Sequence, residues 1–189
     1  MTHRRCKSAF RIVVFGGERA IVDRYLKILA SLIIGALALT YLAHNLANLE
    51  QAQAFFTYVT SHQGQEAYPV TLLPVPSETM VVLAMIIVFL LELVAGVLLF
   101  LGAWRMWRAR KGDAAAFHSA KGLAKIGLGC AIANWWGLFQ VIAVAGYQLW
   151  QMPNGQGPDH GSWVYGAMAM LTLIYLSARE DEGRTVEAR

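Results

Sequence analysis

Glu92 is the residue of this chain best placed to do chemistry. It lies near the middle of Thr79–Leu101, TMVVLAMIIVFLLELVAGVLLFL, a stretch of 23 residues with no other ionisable side chain. A bilayer core takes about 20 apolar helical residues to cross. The stretch is therefore expected to span, with the carboxyl near the midplane. A carboxylate there is costly unless it is protonated, paired or facing water. One reading is a relay for protons or cations, or an anchor for a polar ligand. The other is a protonated structural acid, hydrogen-bonded between helices. Glu92 shares a helix face with Val88 and Gly96, and the glycine lets a neighbouring helix come close. Asn134, deep in a later apolar run, is the expected hydrogen-bond donor to it. Transport usually needs more than one intramembrane ionisable group, and no second carboxylate occurs in any apolar run. That favours the structural acid.

The histidines form the other set. His44, with Asn45 beside it, and His160 fall near the outer ends of the first and fourth apolar runs, with His62 on the same side. Two imidazoles on facing helices can hold a b-type haem. With Glu78 or Asp159 they could instead hold zinc or copper. The chain has no HxxxH, HExxH or CxxCH spacing, and His118 falls on the other side. Ordinary interfacial histidines, with no metal and no cofactor, are the expectation. Cys6 and Cys130 do not make a spaced pair. There is no phosphate loop, no nucleophile elbow and no carboxylate pair suited to acid–base work. The chain is expected not to be an enzyme.

The elements that position these residues follow from composition. Of 189 residues, 57% are hydrophobic and 15% charged, against about a quarter charged in soluble domains. Mean hydropathy is +0.44. The pattern leaves room for an all-α, four-helix transmembrane bundle and no separate soluble domain. The expected organisation is a basic tail over 1–27, a membrane domain over 28–177 and a disordered tail over 178–189. The expected spans are 28–47, 79–101, 126–149 and 162–177. All 16 Lys and Arg fall in the two tails and the middle loop, and none in the two outer loops. The positive-inside rule then puts both termini in the cytoplasm, in a bacterial inner membrane. The basic middle loop carries Trp104 and Trp107. Between two spans it reads as an interfacial anchor rather than a nucleic-acid surface.

In the first outer loop, Leu49, Ala52, Phe56 and Val59 recur at helical spacing, which suits a helix lying in the interface. Ser77 is the expected N-cap of the second span. Gly35, Gly96, Gly127 and Ala131 are the expected helix-packing positions, with Gly129 and Ala133 as a further small-xxx-small pair. Such faces point to lipid-embedded association, with a second copy or with a larger membrane complex.

Several tracts together resemble a bacterial family of predicted small integral membrane proteins of unknown function. They are Trp104-Arg105-Met106-Trp107-Arg108-Ala109-Arg110, Ala116-Phe117, Ala120-Lys121, the glycine-rich third run, and Leu149-Trp150-Gln151 before Asn154-Gly155-Gln156. The resemblance covers roughly Arg24 to Ser177, leaving the first 20 or so residues outside it. It implies four spans and an acid where Glu92 stands. It lends no catalytic residue. That family often has tryptophan before the Asn-Gly-Gln, where this chain has Pro153.

Overall fold

The computed structural model describes residues 3–180, with side chains from Ala20 onward. The expected basic tail is thus described mostly as backbone. Residues 181–189 of the expected C-terminal tail lie outside the described residues.

The chain is all-helical, with no strand among the described residues. Helix α1, His3–Ala47, runs through the expected tail boundary at Lys27 without a break. Residues 19–27 contain neither proline nor glycine, so nothing there stops a helix. Helix α2, Leu49–Val59, forms where the spacing of Leu49, Ala52, Phe56 and Val59 led one to expect a helix. Helix α3, Glu78–Ala109, starts on Ser77, whose Oγ accepts from the Met80 N–H at 3.4 Å. It continues well beyond the expected end at Leu101. Helix α4, Ala114–Ala120, is capped by Asp113, which accepts from the Ala116 N–H at 2.7 Å. Helix α5, Gly122–Ile132, continues directly as a π-helix over Ala133–Gly146. It stops short of Leu149 because the chain turns through Gln148, whose φ is +57°. A short 3-10 turn, Leu149–Gln151, leads to α6, Gln156–Ser177, which starts ahead of the expected Ser162.

Ala20–Ala47, Glu78–Ala109 and Ala114–Gly146 are long and apolar enough to cross a membrane. Helix α6 has 22 residues, about 33 Å at 1.5 Å per residue, and packs along α5 and the π-helix. Leu83, Leu90, Ile126, Leu171 and Ile174 face outward from the bundle. The core runs through Leu99, Met106, Phe117, Leu128 and Leu176.

Helices α1 and α3 are antiparallel and nearly touch at their backbones. A Cβ on Gly96 would stand 3.2 Å from the Gly35 carbonyl oxygen and would collide with Leu39. Helix α5 meets the next edge of α3, where a Cβ on Gly127 would lie 2.9 Å from the Ala95 oxygen. Gly102 sits against Ala124, with 2.7 Å between a Cβ there and the Ala124 Cβ. Small residues at these crossings let dispersion contacts and hydrogen bonds replace the hydrophobic drive that lipid removes. Gly35, Gly96, Gly127 and the buried Ala131 thus pack helices within one chain.

The two ends of the bundle differ. At one end the loop after α2 is tied to the chain after the π-helix. Gln65 donates to the Tyr147 carbonyl at 2.6 Å, Tyr147 donates to the Pro74 carbonyl at 3.0 Å, and the Gln151 Oε1 accepts from the Ala67 and Tyr68 N–H groups at 3.1 Å. At the other end the basic segments meet.

Candidate functional site

Glu92 lies on the inner face of α3 and is 3% exposed. Its Oε2 accepts from the Asn45 side-chain N–H at 3.2 Å. The expected donor, Asn134, is buried, and neither of its side-chain polar atoms has a partner among the described residues. The Gly35–Gly96 crossing explains the difference. It lays α1 along the Glu92 face of α3, so the last turn of α1 reaches the carboxyl. Gly127 holds α5 on the adjoining Ala95–Leu99 edge instead. Pairing with Asn45 also sets Glu92 level with the end of α1, closer to the loop end than its mid-helix position implies.

A cavity of about 510 Å³ opens beside this pair. Its polar wall includes Tyr41, Asn45, Gln51, Glu92, Ser162 and Tyr165, with His44 and Asn48 at its side. The Tyr41 and Tyr165 hydroxyls hydrogen-bond to each other, with ring centroids 5.1 Å apart, and Trp135 stands 5.6 Å from Tyr165. Ser162 is held in place by donating to the Asp159 carbonyl at 2.9 Å and accepting from Gln140 at 2.9 Å. Gln140 reaches from the π-helix and also donates to the Asp159 carbonyl at 2.9 Å.

Helix α2 closes one side through Phe55 and Phe56. An apolar cleft of about 220 Å³ lies between α2, α3 and the π-helix. Phe55, Phe56, Val88 and Phe139 line both spaces.

His44 lines the polar cavity, and its Nδ1 is 3.0 Å from the Thr40 carbonyl oxygen, four residues back. His160 is exposed on the first turns of α6 and is not among the lining residues. His62 packs near the Tyr147 ring at 5.9 Å. The histidines are thus not brought to one point. No group of three His, Cys, Asp or Glu side chains suited to a metal occurs among the described residues. Tyr41, Gln51, Ser162 and Tyr165 were not legible as site residues. Three of them look like ordinary interfacial polar groups in the sequence, and Tyr41 sits in an apolar run.

The opposite end holds a second cluster that charge counting read only as an anchor. The Lys27 ammonium lies 2.5 Å from Asp23 and 2.8 Å from Glu180. Lys121 lies 2.5 Å from the same Glu180 oxygen and donates to the Ala178 carbonyl at 3.0 Å. Arg24 donates to the carbonyls of Arg110 and Gly112 at 2.9 and 2.7 Å, and its guanidinium stands 5.0 Å over the Phe117 ring. Tyr175 donates to Asp23 at 2.6 Å. Burial alone would raise the Glu180 carboxyl, but hydrogen bonds from Lys121 and Lys27 outweigh it and hold it below its usual range. The cluster ties the first helix, the middle loop and the end of α6 together.

An all-helical bundle with several apolar helices and an outward-facing apolar surface is a multi-pass integral membrane protein. Residues 23–179 match a family described as predicted small integral membrane protein (DUF2165), and the chain belongs to that family. No curated protein and no solved structure matches the chain.

Proposed function

We propose that this protein is a non-catalytic accessory subunit of a bacterial inner membrane. It crosses four times, with α6 as the fourth span and both termini in the cytoplasm, and it associates through a helix face with a second copy or a larger membrane complex. The sidedness rests on charge. Arg24, Lys27, Lys121 and the basic loop after α3 gather at one end, and cytoplasmic ends are the ones enriched in Lys and Arg.

The single observation behind association is a row of small residues on the outside of α5 and its π-helical continuation. A Cβ added to Gly129 or to Gly137 would meet nothing within 4 Å, and Ala133 between them is exposed. Gly35, Gly96 and Gly127 are occupied inside the bundle, whereas Gly129-xxx-Ala133-xxx-Gly137 is a small-residue face open to another helix. Small-xxx-small faces are where helices approach in lipid.

The test is Gly129→Leu with Gly137→Leu, cross-linked in native membranes and then purified in mild detergent for mass spectrometry. The wild type should carry a cross-linked partner, either itself or a larger protein. The double variant should lose it while its own unfolding temperature stays unchanged. A stable variant that keeps the same partner at the same yield would refute this face as the interface.

A further inference from the structure

We propose that the cavity at Glu92 and the apolar cleft beside it form one binding site for a single-chain amphiphile with a primary ammonium head. Among the described residues, Glu92 is the one carboxylate that lines the polar cavity, no Lys or Arg lines it, and His44 is its other titratable side chain besides the tyrosines. Its Oε2 is engaged by Asn45, whereas its Oε1 has no hydrogen-bond partner among the described residues and is not among the sealed-off polar atoms. That oxygen is free to accept. Tyr41, Gln51, Ser162 and Tyr165 line the same cavity, and each carries a hydroxyl or amide oxygen able to accept. An ammonium carries three donors and no acceptor, so it is the head group this wall satisfies. A phosphate or carboxylate head would meet Glu92 with no lysine or arginine to offset the repulsion.

The tail follows from the second space. The cleft is lined mainly by apolar side chains, with Thr60 and Tyr147 its polar residues, and adjoins the cavity across Phe55, Phe56, Val88 and Phe139. Met80, Ile87 and Ile142 on its far wall are 60%, 42% and 45% exposed, so it opens onto the lipid-facing surface. A chain leaving the head group would pass the shared phenylalanines and emerge among lipid tails.

The boundary between the two spaces is shared by α2 through Phe55 and Phe56, α3 through Val88 and the π-helix through Phe139. Trp135 lines the cavity, Ile142 and Ala143 line the cleft, and Leu138 and Phe139 border the cleft as well. Insertions of π geometry recur at functional sites. Here the irregular segment meets both halves of the site, together with α2 and α3.

The experiment uses the full chain in phosphatidylcholine nanodiscs and measures equilibrium binding of tritiated dodecylammonium, with empty discs subtracted. Saturable binding is expected. Dodecanol, which has the chain without the charge, should compete poorly, and so should butylammonium, which has the head without the chain. Glu92→Gln should weaken binding by about 10- to 100-fold, the loss expected for one charge-assisted hydrogen bond. Ala84→Phe fills the cleft from an exposed position, so it does not disturb the core. It should weaken dodecylammonium but leave butylammonium unchanged.

Folding of each variant is read from its size-exclusion profile and unfolding temperature. No saturable binding, equal competition by dodecanol, or wild-type affinity in a folded Glu92→Gln would each overturn the site. If Glu92→Gln does not fold, unchanged dodecylammonium affinity in Ala84→Phe overturns it instead. Displacement of the label by phosphatidylethanolamine in the discs would make a phospholipid the occupant and overturn the single-chain assignment.

Discussion

Replacing Glu180 with glutamine tests the clasp at the cationic end. In the wild type the Glu180 side chain is 2% exposed and receives Lys27 and Lys121, which are 1% and 0% exposed. Glutamine keeps the shape and one accepting oxygen but removes the charge. Lys27 would keep Asp23 at 2.5 Å. Lys121 would keep only uncharged partners, including the Ala178 carbonyl at 3.0 Å. Removing one partner of a buried pair costs about 3–5 kcal/mol. The surviving Asp23 contact puts the loss at the lower end, about 3 kcal/mol. At about 2–4 °C per kcal/mol for a chain of this size, the unfolding temperature should fall by roughly 6–12 °C.

The same variant predicts a pH signature. The Glu180 carboxyl is held below its usual range by its lysines. A depressed carboxyl contributes stability above its unfolded value, about 4.3, and loses it as pH falls through the folded value. The gap between wild type and Glu180→Gln should therefore be full at pH 7 and shrink as the pH drops below about 4.3. Thermal unfolding in detergent across pH measures both effects. An unchanged unfolding temperature at pH 7, or a gap that persists in acid, would refute the clasp.

Gly102→Val would drive a side chain into Ala124, whose backbone nitrogen stands 2.5 Å from a Cβ at that site. The expected cost is about 1–3 kcal/mol of overpacking, seen as a lower unfolding temperature, and wild-type stability would refute the α3–α5 contact. Reporter fusions at Gly64 and Gly155 should read outside the cytoplasm, with fusions at Gly112 inside. A cytoplasmic signal at Gly155 would break the four-span arrangement.

Much of the architecture was legible from residue types alone. Long apolar runs specify spanning helices, because in lipid each backbone N–H and C=O must be satisfied within the segment. The all-α class, the helix at Leu49–Val59 and the Ser77 cap follow from local pattern and hold in the structure. Glu92 was equally visible, as one acid in an apolar run, and the structure buries it against Asn45.

What tertiary structure decided was which groups meet. Two helices offered an amide to Glu92, and sequence spacing does not say which face turns toward which neighbour. The Gly35–Gly96 crossing chose Asn45 and left Asn134 apart. Segments far apart in the chain, 20–30, 110–121 and 175–180, close on one another only because α1 and α6 lie side by side at that end. The π-helix has no local signature either. Its residues read as ordinary apolar helix, and the two cavities it borders exist only once α2 and α3 are packed against it. Local propensity reports on bonds within a segment, whereas a site belongs to the spaces between segments.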